Sequence, residues 1–420
     1  MKIGRTAAYA AVAVLALAMV SAPGAARGDA ALDRAHKILR STPLIDGHND
    51  LPWTIREDSI ARGDVALYDL KQPTKGHTDL ARLRAGQVGA QFWSVYIPGN
   101  IPHFARYQLE QIDIAHRVIA RYPDVFAIAL TADDIERVYR GGRVASLLGV
   151  EGGHAIENSI SLLRVYYDLG VRYMTITHNV TLDWADAALD TARHDGLTPF
   201  GEEVVREMNR LGMLVDLSHT SEATMDDVLR VTEAPVIFSH SSTRALANTR
   251  RNVPDSILRR LPENGGVVMV MFASGVVAPE AADSAEVWWP QLTRLQTGVT
   301  DEEQRSRISK EFWKTRKMPK ATLAQVADHI EHVRDVAGVD HVGLGSDFDG
   351  TRDLPVGLED VSKYPDLFAE LIRRGWKDDD LRKLAGRNLL RVMREAESTS
   401  RRLQKERAPS VGTLKELDAY

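Results

Sequence analysis

Short apolar runs of strand type recur along the chain with amphipathic stretches between them. The runs are Leu44 to His48, Val88 to Ile97, Val144 to Gly153, Tyr173 to His178, Leu214 to His219, Val236 to Ser241, Val267 to Phe272 and His341 to Asp347. Helix periodicity or good helix formers fill several intervals, at Phe104 to Ala120, Ile160 to Leu169, Gly201 to Leu211, Ser221 to Val231, Ala321 to Val336 and Lys377 to Ala396. Thr322 is a start signal for one of them and Gly338 its stop. Eight strands alternating with helices predict an α/β fold, a single (β/α)8 TIM-type barrel with insertions near its C-terminal face. A doubly wound open sheet is the competing arrangement.

Two segments depart from this rhythm. Residues 278–318 are charged, contain Trp288 and Trp289, and read as an insertion of short helices near the barrel mouth. Residues 398–420 read as a charged, partly helical tail, so the barrel is expected to span 31–397. At the other end, Lys2 and Arg5 precede an apolar run from Ala7 to Val20 and a series of small residues, the pattern of a secretory signal over 1–30 with cleavage between Ala22 and Ala31. The run is 14 residues, short of the roughly 18 to 20 that span a bilayer. An exported protein, periplasmic or secreted, is expected, with no stable membrane anchor.

Composition narrows the chemistry. Among 420 residues there is no Cys, which excludes disulfides, iron–sulfur clusters, Cys-ligated zinc and a thiol nucleophile. Any metal site must use His, Asp and Glu. A net charge of −5 argues against a nucleic-acid partner. The signatures G-x-S-x-G, G-x-x-x-x-G-K-[ST], H-E-x-x-H and G-x-G-x-x-G are all missing.

Polar residues sit where the strands end, which in a barrel is the catalytic face. His48 and Asp50 lie two apart after the first strand and can share one ion. Glu151 ends an apolar strand before a glycine pair, where a carboxylate needs a charge partner. His219 and His240 end the fifth and sixth strands. Five such ligands exceed the usual three of one catalytic zinc and suit two zinc ions with Glu151 bridging, His48 and Asp50 completing one and His219 and His240 the other. Two ions about 3.5 to 4 Å apart can hold a bridging hydroxide and polarise a carbonyl. Asp347 is placed to carry a proton from water to a leaving amine, and His178 to stabilise an oxyanion. His154 competes with His178 but follows two glycines, and Asp349 is read as shaping the turn before Gly350. Trp53, Trp93 and Trp184 are candidates for pocket walls, with core packing at least as natural for Trp93.

With these residues assembled, the chain resembles the membrane dipeptidase (renal dipeptidase) family, a binuclear-zinc branch of the amidohydrolase-type barrels. The matching stretches are LIDGHNDLPW, GVEGGHAIE, YMTITHN followed by WAD, DLSH, FSHS, RRNVPD, GLGSDFDG, GLEDVSKYPDL and NLLRV, in order from about Ala35 to Arg394. The resemblance implies His48, Asp50 and Glu151 as ligands of one zinc and Glu151, His219 and His240 as ligands of the other. It further implies His178 as a substrate-binding histidine, Asp347 as the proton-transferring acid, and Arg251 as the arginine that holds the substrate carboxylate. A guanidinium fork suits that last role, although Arg250 and Arg251 are indistinguishable by sequence alone.

Two departures concern specificity. Mammalian members have a tyrosine after the seventh strand, where this chain reads MFASGVV, and the insertion with Trp288 and Trp289 is longer here. The expected activity is hydrolysis of small dipeptides, including those with a C-terminal D-residue. The alternatives are another binuclear hydrolase on the same barrel, an N-acyl amino acid deacylase or a phosphotriesterase, and a non-catalytic periplasmic metal- or peptide-binding protein. A homodimer is carried as one assembly state that the sequence leaves open.

Overall fold

The computed structural model describes residues 29–419, so the export-type segment lies outside the described residues up to position 28. Nine strands form one parallel sheet: β1 (Leu44–Asn49), β2 (Val88–Ser94), β3 (Phe126–Ile128), β4 (Val144–Glu151), β5 (Val171–Thr175), β6 (Leu214–Asp216), β7 (Ile237–Phe238), β8 (Val267–Val270) and β9 (Val342–Leu344). Neighbouring pairs run β2-β1-β9-β8-β7-β6-β5-β4, and a further pairing of β2 with β4 closes the ring. The result is a closed eight-stranded (β/α)8 barrel, not an open sheet.

β3 is the strand that the hydrophobic pattern does not predict. It pairs with β4 at Val144, Ala145 and Ser146, while β5 joins β4 only from Leu148 onward. Since β2 occupies one edge of β4, β3 and β5 share the other in tandem, and β3 stands outside the ring. Three residues are too few to display a period of two.

Apart from β1, the other strands are shorter than their apolar runs. β6 stops at Asp216 and β7 at Phe238, because beyond them backbone N–H groups are taken by side chains: Ser218 and Ser239 both donate to Asp216 Oδ1, at 3.1 and 2.8 Å. Residues that ended the expected strands therefore project from the loops that follow.

Alternation along β4 positions the site. Val144, Leu148 and Val150 pack outward in the layer between barrel and helices, while Ala145 and Leu147 belong to a separate core cluster with Phe92, Tyr173 and Met269. The same parity carries Gly149 and Glu151 to the interior. At Gly149 a Cβ would lie 2.0 Å from the Tyr173 ring, so only glycine admits that tyrosine.

Local signals set the helices. Leu323–Ala337 starts with a capping box between Thr322 and Gln325 and stops at Gly338, whose φ is 97°. Helix Pro199–Leu211 is capped by Thr198 and stops at left-handed Gly212. The insertion forms helices Pro279–Gln296 and Glu302–Lys314, longer than the short helices expected there. Helix Asn388–Glu406 runs through residue 398 without a break, and the segment beyond is tied down where Arg164 Nη1 donates to Ser410 O and Phe200 N donates to Asp418, both at 2.7 Å. No helix among the described residues is long and apolar enough to cross a membrane.

Candidate metal centre and active site

A cavity of about 530 Å³ opens at the C-terminal face of the barrel, lined by Asp50, Glu151, His178, His219, His240, Arg251 and Asp347. His48 lies at its floor and is fully buried. The ends of six strands, with the loops that follow them, thus bring together all eight side chains singled out by sequence.

Glu151 is the hub, and its two oxygens face different partners. Oε1 lies 3.1 Å from His219 Nε2, 3.3 Å from His240 Nε2 and 3.6 Å from His178 Nε2. Oε2 lies 3.6 Å from His48 Nε2, which is in turn 3.2 Å from Asp50 Oδ2. His48, Asp50 and Asp347 also come together closely enough to surround an ion.

The second nitrogen of each histidine explains why its first faces inward. His219 Nδ1–H donates to Asn179 Oδ1 at 3.0 Å. His240 Nδ1 is 2.8 Å from Ser239 Oγ, whose own proton goes to Asp216 Oδ2 at 2.6 Å, so His240 must be the donor there. His48 Nδ1 meets the Tyr173 hydroxyl at 2.8 Å. His219 and His240 then each present a bare Nε2, and these two lone pairs face one another at 3.0 Å. Buried His48 Nε2 and Asp50 Oδ1 have no hydrogen-bond partner among the described residues. Lone pairs and carboxylate oxygens converging without donors are repulsive alone and attractive around a cation, so these residues fit divalent ions; outward hydrogen bonds that fix tautomers are the usual support of such a site.

Buried carboxylates beneath the centre repeat one arrangement. Asp46 Oδ1 accepts from His48 N and Ser346 N at 3.2 and 2.8 Å, and Oδ2 from Ser346 Oγ at 2.7 Å and the Tyr364 hydroxyl at 2.6 Å. Asp216 likewise takes the N–H two residues on, Ser218, and both the N–H and hydroxyl of Ser239 on the adjacent strand, with Thr175 Oγ1 at 2.5 Å. The residue after each serine is a site residue, Asp347 or His240. Each clamp therefore joins two strands directly under the groups that must be held.

Electrostatics follow from burial. His178, His219 and His240 are held well below the usual histidine range, first by burial and then by charged neighbours including Arg251, so they stay neutral as ligands must. For His48 burial pulls the same way but is outweighed by Tyr173, Asp50 and Glu151, and its pKa is pushed up. Asp347 is raised well above the carboxylate range by burial and by Asp50 beside it. It sits at φ 65° in the turn that His48 O anchors through Asp347 N at 3.2 Å.

The structure separates the two arginines. Arg250 pairs with Glu286 on the insertion. Arg251 is buried, donates to Ser241 Oγ at 2.8 Å and His240 O at 2.7 Å, and has no carboxylate within ion-pair distance among the described residues. Burial lowers its pKa to about 10. A guanidinium held by neutral acceptors at a cavity wall is a receptor for an anion.

Other candidates fall away. His154 lies in a turn of 3-10 helix, with Nε2 on Ile97 O at 3.0 Å and a pKa pulled down by burial to about 4. Trp93 and Trp184 are core residues against Phe126 and Phe200, whereas Trp53 lines the cavity edge-on to Tyr96. Asp349 does more than shape a turn: it accepts from His77 N at 2.7 Å and so ties the loop before β2 to the mouth. Sequence reasoning passed over Tyr173, Asn179, Asp216 and Ser239, although all four stand inside the YMTITHN, DLSH and FSHS stretches.

The family model for membrane dipeptidase, peptidase family M19, matches residues 32–407. The fold is similar to the probable dipeptidase PvdM from Pseudomonas aeruginosa, at 23% identity and TM-score 0.75 over 88% of this chain and 99% of that one. Dipeptidase AC, a metallopeptidase of the same family, is 26% identical with TM-score 0.69, over 84% and 98% of the two chains. A metallopeptidase from Rhodobacter sphaeroides, liganded with a phosphinate mimic of L-Ala-D-Ala, is 25% identical with TM-score 0.67, over 84% and 99%. The chain belongs to the membrane dipeptidase family and is a metallodipeptidase.

Proposed function

We propose that the chain hydrolyses dipeptides with two zinc ions, one held by His48, Asp50 and Glu151 and the other by Glu151, His219 and His240. The observation that carries this reading is the division of Glu151, with Oε1 toward His219 and His240 and Oε2 toward His48. When bound, the ion pair supplies Lewis-acid polarisation of the scissile carbonyl and lowers the pKa of the attacking water.

The chain's own residues do the rest. Arg251 binds the C-terminal carboxylate, which fixes the register of the substrate and excludes chains that continue past the second residue. Neutral His178 donates from its ring N–H to the oxygen on which charge develops. Asp347 accepts a proton from water on its carboxylate and passes it to the amine that leaves. Burial raises its proton affinity and bound cations lower it again, which brings the group between the two tasks.

Acceptance of a C-terminal D-residue is supported by the L-Ala-D-Ala mimic held by the Rhodobacter sphaeroides relative. Export is proposed from the basic, apolar and small-residue order of the first thirty positions. The function is tested by steady-state kinetics of zinc-loaded protein on L,L and L,D dipeptides beside N-acetyl amino acids and aryl phosphotriesters. Turnover confined to the latter two would overturn it.

A further inference from the structure

We propose that the insertion hairpin forms the side-chain subsite for the C-terminal residue of the substrate and selects bulky apolar, above all aromatic, side chains there. This deepens the dipeptidase reading, on which it rests through Arg251.

Helix Pro279–Gln296 presents Trp289, Leu292, Thr293 and Gln296 to the cavity, the i, i+3, i+4, i+7 positions of one face. Trp313 and Met318, from the second helix and its exit, line the same cavity. Trp289, Leu292 and Trp313 are each half-buried. Trp289 and Trp313 rest on the core on one side and stay partly open on the other, and large apolar side chains left partly open on the wall of a cavity mark a surface that gains by covering.

The hairpin is fastened next to the carboxylate-binding arginine. Glu286, one turn before Trp289, accepts from Thr249 Oγ1 at 2.7 Å and from Arg250 N at 3.1 Å, and pairs with the Arg250 guanidinium. Those residues adjoin Arg251 in the chain. On the far side Asn100 Nδ2, in the loop after β2, donates to Thr293 O at 3.1 Å, so the helix crosses the mouth. Gln296 Nε2 donates to Arg305 O at 3.1 Å and Arg305 Nη1 returns a bond to Gln296 O at 3.0 Å, closing the hairpin, while Trp288 meets Trp313 edge-on at 6.1 Å.

The floor after β8 is cut to receive this wall. A Cβ at Gly275 would lie 2.8 Å from Trp289 Cζ2 and 2.9 Å from Met318 Sδ, so the glycine in MFASGVV admits the indole. A dipeptide whose carboxylate lies on Arg251 must place its C-terminal side chain within a few ångströms of that carboxylate, and the hairpin is joined to the same loop. Trp53, Tyr96 and His178, which meet edge to edge on the lining of the same cavity, are left to the N-terminal residue.

The test compares L-alanyl-X with X-L-alanine substrates, X being Ala, Leu, Phe or Trp. The zinc-loaded protein should favour Phe over Ala at the C-terminal position by about tenfold or more in kcat/KM, the usual scale of a hydrophobic pocket, chiefly through KM. Trp289→Ala should erase most of that preference, lowering kcat/KM on L-alanyl-L-phenylalanine about tenfold more than on L-alanyl-L-alanine, and Trp289→Phe should restore it. A flat C-terminal series, an equal loss on both substrates, or a Trp289-dependent preference in the X-L-alanine series would overturn the proposal. Calorimetric binding of L-alanyl-L-phenylalanine and L-alanyl-L-alanine to zinc-loaded Asp347→Asn protein separates the two readings. Tighter, Trp289-dependent binding of the first without turnover of any dipeptide by the native chain would sink the reaction assignment and uphold the subsite, and equal binding would sink the subsite.

Discussion

The floor of the cavity and its roof are built on opposite plans. On the floor the ligand-type side chains are buried, and the outer nitrogens of His48, His219 and His240 are fixed by hydrogen bonds from neighbouring strands and loops, as Asp216 fixes Ser239 and Ser239 fixes His240. The roof is a two-helix hairpin whose cavity-facing tryptophans and leucine are half-open and whose attachments are a few bonds to loops. The difference teaches where each property of the site resides. Chemistry that needs ångström placement is mounted on strands that the barrel cannot move, and selection by shape is mounted on an insertion that can be exchanged without disturbing them.

Substitutions should break this contrast in a graded order. Glu151→Gln removes the charge shared by both halves of the floor, and turnover should fall by about a thousandfold or more together with metal content, read by elemental analysis. Asp347→Asn should lower kcat by about 10² to 10⁴ while leaving bound metal unchanged, the expected size for a lost proton carrier; loss of metal along with turnover would make Asp347 a ligand instead. Arg251→Lys keeps the charge but not the fork, and should cost about 1.5 to 3 kcal/mol, roughly 10- to 150-fold in kcat/KM, on free dipeptides. C-terminally amidated dipeptides, already poor substrates, should be little changed. Asp216→Asn leaves every metal contact in place but loosens Ser239 and hence the His240 tautomer, and metal affinity should fall about 10- to 100-fold, measured by chelator competition. Equal affinity would reduce the clamp to a structural role. The roof variant Trp289→Ala sits at the bottom of this scale, touching only substrates with a bulky C-terminal side chain.

Much of the floor was legible before any coordinates. The eight barrel strands announce themselves as apolar runs, and His48, Asp50, Glu151, His219 and His240 stand at their ends, where a carboxylate or imidazole has no packing purpose. β3 was not legible, because three residues carry no period. Neither were Tyr173, Asn179 and Asp216 as supports, since each acts on a residue of a different strand or loop, and only the folded barrel makes them neighbours; Ser239 adjoins His240 in the chain, but its orientation comes from Asp216 across the sheet. Trp93 and Trp184 illustrate the reverse, since an aromatic beside a motif can equally belong to the core.

Sequence alone determined the fold class, the ligand types and the all-oxygen-and-nitrogen character of the centre, because alternation, strand-end position and the lack of cysteine are properties of the chain read in order. Tertiary structure decided which oxygen of Glu151 faces which histidine, which of two adjacent arginines is buried without a carboxylate, and that an insertion rich in tryptophan lies across the mouth beside it. Those are relations between segments far apart in the chain, and they exist only once the ring of strands has closed.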